Sequence, residues 1–232
     1  MEIRIVIPAR MASTRLPGKP MEMIGDKTLV EHVYDKAIQT GFPVTILTDS
    51  ESMKEALTRC DVRVTAPQIL TGTDRIAWAR THFKEDIIIN CQGDVPFIEP
   101  HQILLPAMLL YNFDVGTLIT DPPPESSAGN KNIARAICTQ RTGTSQQYNC
   151  RWFTRTHISY GYQHIGVYAY GKDMFSGWDF IKSGIEQYED LEQIRFLERG
   201  LTVGAIKTDV VPIEVNTPED LDKARSHYES QR

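Results

Sequence analysis

The chain has 232 residues, of which 41% are apolar and 24% are charged, a composition typical of one large soluble globular domain. Its formal net charge of -5 argues against general nucleic-acid binding, which requires a basic surplus, but leaves room for a small basic pocket. The absence of a membrane-length apolar run, of a signal-peptide core and of any metal-like cysteine pairing predicts a cytoplasmic protein with reduced thiols and no membrane insertion.

The first half of the chain alternates between two hydrophobic patterns. Apolar β-branched runs predict strands at 3–8, 44–48, 62–64 and 87–91. Apolar residues at helical spacing predict helices at 28–39, 51–58 and 75–83. Strands that alternate with helices over short connections indicate a parallel α/β sheet.

The second half is richer in strands that lack intervening helices. Strands are predicted at 115–119, 133–138, 148–156, 164–170, 203–206 and 210–213, the third of them with the weakest pattern. Helices are predicted at 100–110, at 185–199 and from Thr217 onward, and residues 121–131 form a predicted loop. This pattern indicates an antiparallel extension of the sheet, with a possible dimer surface.

A basic loop follows the first predicted strand. It reads Ala9-Arg10-Met11-Ala12-Ser13-Thr14-Arg15-Leu16-Pro17-Gly18-Lys19. Arginine and lysine supply positive charge, and Gly18 lets backbone N–H groups approach a ligand closely. The spacing is neither the Walker pattern nor GxGxxG, so a solvated basic loop is the alternative. We favour phosphate binding.

A carboxylate, Asp94, follows the clearest core strand in the segment Asn90-Cys91-Gln92-Gly93-Asp94. Ligands of open α/β sheets bind outside the carboxyl ends of the strands, which places Asp94 at that rim. Taken alone, the segment is equally well an ordinary Gly-Asp turn. Together with the basic loop it predicts a Mg²⁺ ligand, because Mg²⁺ takes few protein carboxylates plus phosphate oxygens.

Three further features have both a structural and a functional interpretation. The segment 71–75, Thr-Gly-Thr-Asp-Arg, is more often a capped helix start, although its backbone groups could hold a base or a phosphate. His164 and Tyr168 share one face of a predicted strand, where a lone histidine is more often structural. Glu192 and Gln193 lie on a helix face that is usually solvated.

Seven motifs, taken in order, resemble those of the 3-deoxy-manno-octulosonate cytidylyltransferases, or CMP-Kdo synthetases. They are IPARMASTRLPGKP, LTGTDRIA, NCQGDVPFI, WFTR, HIGVYAY, IEQYEDLEQIRFLERG and VNTPEDLDKAR, and they extend from Ile3 to about Arg225. The resemblance implies a GT-A-like nucleotide-binding α/β fold with a mixed, mostly parallel sheet flanked by helices and an antiparallel dimerisation and sugar-binding extension. It also implies CTP, Mg²⁺ and a homodimer. In that family the anomeric hydroxyl of a 2-keto sugar acid attacks the α-phosphate of CTP and releases pyrophosphate.

The resemblance assigns expected roles residue by residue. The catalytic and triphosphate-binding positions are Arg10, Lys19 and Asp94, with Arg15 in the same loop. The nucleotide-binding positions also include Ala9, Thr71, Gly72, Arg75 and Gln92, all but Arg75 placed around cytosine and ribose. The metal positions are Asp94 and Asn216. The acceptor positions are Arg155, His164, Tyr168, Glu192 and Gln193, with Arg155 able to pair with the acceptor carboxylate.

The same resemblance suggests a single domain over 1–232 with two functional parts. Residues 1–120 and 200–232 would form the nucleotide-binding core, and residues from about 121 to 199 would bind the acceptor and the partner subunit. Such chemistry requires positioning and charge neutralisation, so it needs no nucleophilic serine or cysteine.

The chain departs from the family pattern at three places. Asn216 replaces the aspartate of VDTPEDL, Val95 replaces a usually acidic residue, and the segment 156–163 is shorter than in the family. The leading hypothesis is a CTP-dependent enzyme that activates Kdo or a close relative for bacterial surface polysaccharide. The departures keep two alternatives open. One is another acid acceptor (an amino-Kdo, another nonulosonate or a phosphonate), and the other is a non-catalytic nucleotide-binding homologue.

Overall fold

The computed structural model describes residues 1–13, 15–121, 132–144, 146–156, 158, 160–178 and 180–231. The chain separates into two compact units, one formed by Met1–Ile103 with Pro212–Arg232 and the other by Leu104–Val211. These boundaries differ from the expected division at residues 120 and 200. Among the described residues, no helix is long and apolar enough to cross a membrane.

The first unit is built on a four-stranded parallel sheet. Its strands are β1 (Ile3–Pro8), β4 (Val44–Thr48), β5 (Val62–Val64) and β6 (Ile87–Cys91), and a short antiparallel pair, β2 (Met23–Ile24) and β3 (Lys27–Thr28), lies outside this sheet. The parallel pairings give the order β5-β4-β1-β6. Every residue of β4 and β6 is buried, as expected for parallel strands covered on both faces. The predicted bounds of all four strands and the parallel α/β sheet are confirmed.

The helices of this part are shorter than predicted. They are α1 (Leu29–Ile38), α2 (Glu51–Ala56), α3 (Gly72–Ala79) and α4 (Pro100–Leu104). Helix α3 begins three residues before the predicted start, because the Thr71 hydroxyl caps it by accepting from the N–H of Asp74 at 3.0 Å. The predicted helix 100–110 stops as α-helix at Leu104 and continues as a 3-10 helix, Leu105–Tyr111, since Pro106 cannot donate an α-helical hydrogen bond.

The second unit is a five-stranded mixed sheet. Its strands are β7 (Val115–Thr120), β8 (Arg135–Gln140), β9 (Gln147–Thr154), β10 (Tyr162–Gly171) and β11 (Val203–Lys207). The order is β10-β7-β11-β9-β8, with antiparallel pairs except for the parallel pair of β7 and β11. The start of β10 also pairs with β8, so the strand pairings close on themselves. The predicted antiparallel extension is confirmed.

Two predictions for this region are wrong. Residues 210–213 form no strand, because Val210 and Val211 are exposed and Pro212 lacks an N–H for a sheet hydrogen bond. The helix predicted at 185–199 is two helices, α5 (Gly184–Glu189) and α6 (Ile194–Glu198). Most of the predicted 121–131 loop lies outside the described residues.

Asp190 causes the break between α5 and α6. Its φ of 53° lies in the left-handed region, which an α-helix of L-residues cannot continue. Glu186 and Arg195 then join the two helices through a bidentate ion pair, with Nε–Oε2 and Nη2–Oε1 distances of 2.7 and 2.6 Å. The apolar side chains on the two sides of the break differ in burial: Tyr188 of α5 is 84% exposed, whereas Ile194 of α6 is fully buried.

The chain ends in α7 (Pro218–Ser230), which belongs to the first unit. Thr217 and Asp220 form a capping box at its start, as the sequence predicts from Thr217 onward. Leu221 and Ala224 pack against Leu16, Ile24, Leu29 and Val215. This packing fixes the segment immediately before α7 beside the basic loop.

Candidate functional site

The ammonium group of Lys19 lies at the centre of the site in the first unit. Its Nζ donates to Asp94 Oδ2 at 2.8 Å, to the Val215 carbonyl oxygen at 3.0 Å and to Asn216 Oδ1 at 3.4 Å. The side chains of Lys19 and Asp94 are each 17% exposed, so the pair is largely shielded from water but still reachable by a ligand. A carboxylate oxygen, a backbone carbonyl oxygen and a side-chain amide oxygen thus all accept from the Lys19 ammonium group.

The basic loop presents Lys19 through a tight turn. Gly18 has a φ of 68°, in the left-handed region that favours glycine, and it leads into a 3-10 turn at Lys19–Met21. The N–H of Gly18 donates to the Met11 carbonyl at 3.3 Å, and that of Lys19 donates to the Leu16 carbonyl at 3.1 Å. The expected backbone donors are therefore used inside the loop, and Gly18 shapes the turn that aims the lysine.

Asp94 is placed by contacts at the carboxyl end of β6. A Cβ atom on Gly93 would lie 3.1 Å from the Pro8 carbonyl oxygen, so this glycine allows β1 and β6 to end side by side. The carbonyl of Asp94 accepts from the N–H of Val215 at 2.9 Å. That hydrogen bond holds the segment before α7 against the same rim.

The side-chain oxygen of Asn216 points toward the basic groups of Arg15 and Lys19. Its Oδ1 accepts from Arg15 Nη2 at 3.3 Å and from Lys19, while its Nδ2 donates to Glu214 Oε1 at 2.7 Å. Because Glu214 can only accept, it fixes which end of the amide points inward. Glu214 was not among the predicted site residues, and its position two residues before Asn216 was the only available signal.

The donor set around Lys19 is suited to Mg²⁺ that is shared with a ligand. The described residues contain no group of three or more His, Cys, Asp or Glu side chains arranged to hold a metal. Mg²⁺, however, commonly takes one or two carboxylates and completes its shell with phosphate oxygens and water. The Asp94 carboxylate and the Asn216 amide oxygen both accept from the Lys19 ammonium. One carboxylate and one neutral oxygen that face the same point fit a Mg²⁺ site completed by phosphate oxygens and water.

Other predicted nucleotide positions cluster near Pro8. A Cβ on Gly72 would lie 3.1 Å from the Pro8 ring and 3.5 Å from Gln92 Nε2, and Ala9 is buried directly after Pro8. Within the described ranges, Arg10 and Gln92 make no hydrogen bond or ion pair, and both are half-buried. Their donors are therefore available to a ligand.

Thr71 and Arg75 are engaged by the protein. The Thr71 hydroxyl donates to Asp74 Oδ2 at 2.7 Å besides capping α3. Arg75 is fully buried and donates to the Thr65 hydroxyl and, at 2.8 Å, to the Ile69 carbonyl. The structure therefore places the Arg75 side chain in the protein interior, where it contacts other protein groups.

Arg75 is connected to the basic loop through Asp49. Its Nη2 lies 3.6 Å from Asp49 Oδ2, and Asp49 Oδ1 accepts from the N–H of Met11 at 3.2 Å. The buried guanidinium thus helps to fix the loop that carries Arg10 and Lys19. Sequence reasoning could not distinguish this role from direct ligand binding.

In the second unit, His164, Tyr168 and Gln193 come together. The Tyr168 hydroxyl donates to Gln193 Oε1 at 3.1 Å, and the rings of His164 and Tyr168 lie 5.3 Å apart. Gln193 is 3% exposed, and its Nε2 has no hydrogen-bond partner in the described part of the chain. A buried amide donor without a partner is costly unless a ligand or water satisfies it.

Arg155 and Glu192 belong to the same unit as His164, Tyr168 and Gln193. Arg155 follows β9, and its Nη1 and Nε donate to the carbonyls of Asn132 at 2.9 Å and Asp190 at 3.4 Å. Glu192 is half-buried in the connection between α5 and α6, next to Gln193. Glu189, the last residue of α5, accepts from the Thr154 hydroxyl and the Arg155 N–H, each at 2.9 Å.

Comparison with known proteins gives the family. A family profile described as "Cytidylyltransferase" matches residues 4–203. A Rickettsia conorii protein named 3-deoxy-manno-octulosonate cytidylyltransferase is 37% identical over 243 residues, covering 99% of this chain and 96% of that protein. This chain belongs to the 3-deoxy-manno-octulosonate cytidylyltransferase family. The resemblance found in the sequence is confirmed.

Solved structures agree with this assignment. CMP:2-keto-3-deoxy-manno-octonic acid synthetase complexed with CTP is 28% identical and matches over 100% of both chains with a TM-score of 0.88. UDP-glucose pyrophosphorylase complexed with UDP-glucose, at 16% identity and a TM-score of 0.75 over 100% of both chains, shares the fold alone. The predicted GT-A-like α/β nucleotidyltransferase fold is confirmed.

His164 of this cytidylyltransferase is held as a neutral ring. The Thr117 hydroxyl donates to the Val167 carbonyl at 2.8 Å, so it accepts from His164 Nε2, which lies 3.0 Å away. Burial, followed by the nearby charge of Arg155, lowers the pKa of His164 to about 3. With the proton on Nε2, the other nitrogen, Nδ1, is an acceptor at neutral pH.

The low pKa of His164 predicts an acid-sensitive stability. Between about pH 6.5 and pH 5 the unfolded chain binds a proton at this position that the folded chain excludes, so the free energy of unfolding falls by up to about 2 kcal/mol. His164→Gln, which keeps a polar partner for Thr117, removes this loss. Urea unfolding at several pH values measures it, with the exposed His82→Gln as the control. An identical pH dependence in His164→Gln and the parent protein would contradict the neutral buried ring.

Proposed function

We propose that this protein transfers CMP from CTP to the anomeric hydroxyl of a 2-keto sugar acid, Kdo or a close relative, with release of pyrophosphate. The proposal places the reaction in the cytoplasm and makes Mg²⁺ its cofactor. The observation that carries it is the convergence of Lys19, Asp94 and Asn216 at the strand rim, in a chain whose relatives are named 3-deoxy-manno-octulosonate cytidylyltransferase.

The first unit provides charge for the triphosphate. Arg10 has no described partner, Arg15 is exposed, and Lys19 is paired with Asp94, so the loop offers three cations to phosphate oxygens. A phosphate that binds Lys19 competes with Asp94 for the ammonium group. The Asp94 carboxylate then becomes available to bind a metal ion. Mg²⁺ bound there would neutralise charge on the phosphate oxygens during transfer. Arg10 and Lys19 orient the same group and stabilise the charge that develops.

The second unit offers groups suited to a polyhydroxy acid. The unpartnered Nε2 of Gln193 is a donor, and neutral His164 is an acceptor through Nδ1. Tyr168 orients Gln193 through its hydroxyl. Arg155 would attract the acceptor carboxylate through its positive charge, while its Nε and Nη1 hold the backbone carbonyls of Asp190 and Asn132. Donor, acceptor and cation together match a substrate that carries both hydroxyl groups and an acid.

A different acid acceptor is the second candidate. The alignment with the Rickettsia conorii relative spans 243 residues, more than the 232 of this chain, so that relative contains residues without a counterpart here. The family resemblance suggests that the shortening lies at 156–163, next to Arg155, and His157 and Ser159 lie outside the described residues. A changed segment beside the acceptor residues favours altered acceptor choice with unchanged chemistry.

The acceptor is tested by pyrophosphate release from CTP and Mg²⁺ across a panel of acids: Kdo, an amino-Kdo, other nonulosonates and a phosphonate. We expect turnover with Kdo well above the acceptor-free blank, and none with Asp94→Asn. Turnover only with another acid would replace Kdo and keep the chemistry. CTP binding without turnover for every acid would support a non-catalytic homologue instead.

Asn216 predicts a specific metal dependence. Asn216→Asp adds a carboxylate where the amide oxygen now faces Lys19, so the Mg²⁺ concentration for half-maximal activity should fall by about tenfold, equivalent to about 1.4 kcal/mol. A Mg²⁺ titration of activity measures the change. Asn112→Asp, which adds the same charge in the second unit, is the control. An unchanged titration would show that the position does not contribute to metal binding.

The proposed homodimer has a candidate surface around α5. Phe180, Ile181, Ile185 and Tyr188 are 50, 75, 42 and 84% exposed, although they are close together in the chain and apolar. Apolar side chains left exposed in this way are typical of an interface, and we propose a second copy of this chain as the occupant. Sedimentation equilibrium should show a dimer that Tyr188→Glu weakens and that Tyr111→Glu, at a position 93% exposed, leaves intact. A monomeric parent protein would overturn the proposal.

A further inference from the structure

Two cysteines of the second unit face each other across neighbouring strands. Cys138 lies on β8 and Cys150 lies directly opposite on β9, with their Sγ atoms 3.3 Å apart. Both are free thiols. Residues opposite each other in an antiparallel pair have Cα atoms about 4.5–5.5 Å apart, within the range that a disulfide spans.

A β-bulge creates this pairing. The register of β8 and β9 shifts after Ile137, which is opposite Trp152, so that Cys138 is opposite Cys150. In a regular ladder Cys138 would face Arg151, and the two thiols would lie on opposite faces of the sheet. The extra residue therefore brings together two cysteines that no spacing motif in the sequence connects.

The two thiols differ in access and in acidity. Cys138 is half-exposed, whereas Cys150 is 5% exposed. The hydrogen bond with Cys138, together with burial, raises the pKa of Cys150 well above its ordinary value. A reagent in solution thus reaches Cys138 first, and Cys150 remains a protonated thiol until its partner has reacted. Cys60 and Cys91 have no thiol partner in the described part of the chain.

We propose that Cys138 and Cys150 form an oxidation site that closes to an intrachain disulfide with a small-molecule disulfide as the oxidant. The Cys138 thiolate attacks one sulfur of the oxidant, which forms a mixed disulfide and releases one small thiol. Cys150 then loses its proton and attacks Cys138 Sγ, and the bond to the second small thiol breaks. The two cysteine protons end on the two released thiols, and the oxidant gains the two electrons that the cysteines lose.

The full-length protein treated with oxidised glutathione tests this site. We expect two of the four thiols to disappear in a denatured thiol assay. Peptide mapping should find one crosslinked peptide joining Cys138 to Cys150 and a protein mass lower by two hydrogen atoms. The oxidised protein should melt about 5 °C higher, because the crosslink restricts the unfolded chain.

Variants separate the two steps. Cys150→Ala should stop at the mixed disulfide, retaining one glutathione on Cys138 without a rise in melting temperature. Cys60→Ala should behave like the parent protein, and the loss of closure in this control would contradict the pairing. The parent's own peptide map decides the matter even if a variant folds poorly. Glutathione retained on Cys138 of the parent, or a disulfide between any other pair of cysteines, would overturn the proposal.

Discussion

The ammonium group of Lys19 joins three separate stretches of the first unit. It comes from the loop after β1, and it binds the carboxylate that follows β6 and two oxygens of the segment before α7. Exposed ion pairs contribute about 0–1 kcal/mol, whereas breaking a fully buried pair costs about 3–5 kcal/mol. A pair with 17% exposed side chains lies between these limits. It is strong enough to order the loop and still open to competition from a phosphate anion.

The second unit uses a more deeply buried ion pair for a different purpose. Glu186 and Arg195 have side chains only 1 and 4% exposed, and they hold α5 and α6 together on either side of Asp190. Trp178 lies against the same guanidinium, 5.0 Å from the ring centroid. The connection that these groups fix contains Gln193, whose side chain is held further by the hydrogen bond from Tyr168 to its Oε1, while its Nε2 has no partner in the described part of the chain. A buried ion pair thus supports a buried amide whose N–H donors have no hydrogen-bond partner in the described part of the chain.

The predictability of this chain depends on how local each feature is. The four parallel strands of the first unit could be predicted to the residue from their apolar runs, whereas the two-residue strands β2 and β3 could not, because two residues are too few to show a hydrophobic pattern. The left-handed Asp190 could not, since an Asp inside a helical pattern gives no sign of its φ. The inward position of Arg75 depends on Thr65 and the Ile69 carbonyl, contacts that only the folded chain creates. Similarly, the resemblance named Asn216 but could not show that Glu214 orients its amide.

The charges around Lys19 determine how Asn216 would affect metal binding at the proposed nucleotide site. Arg15 and Lys19 are balanced by the carboxylates of Asp94 and Glu214, and the Asn216 amide adds no charge. An aspartate there, as in the family pattern, would make the cluster net negative and would attract a cation more strongly. With asparagine, the charges remain balanced, and Glu214 keeps the amide oxygen facing inward. Under the proposed function, metal binding would therefore rely more on Asp94 alone than it would with an aspartate at position 216.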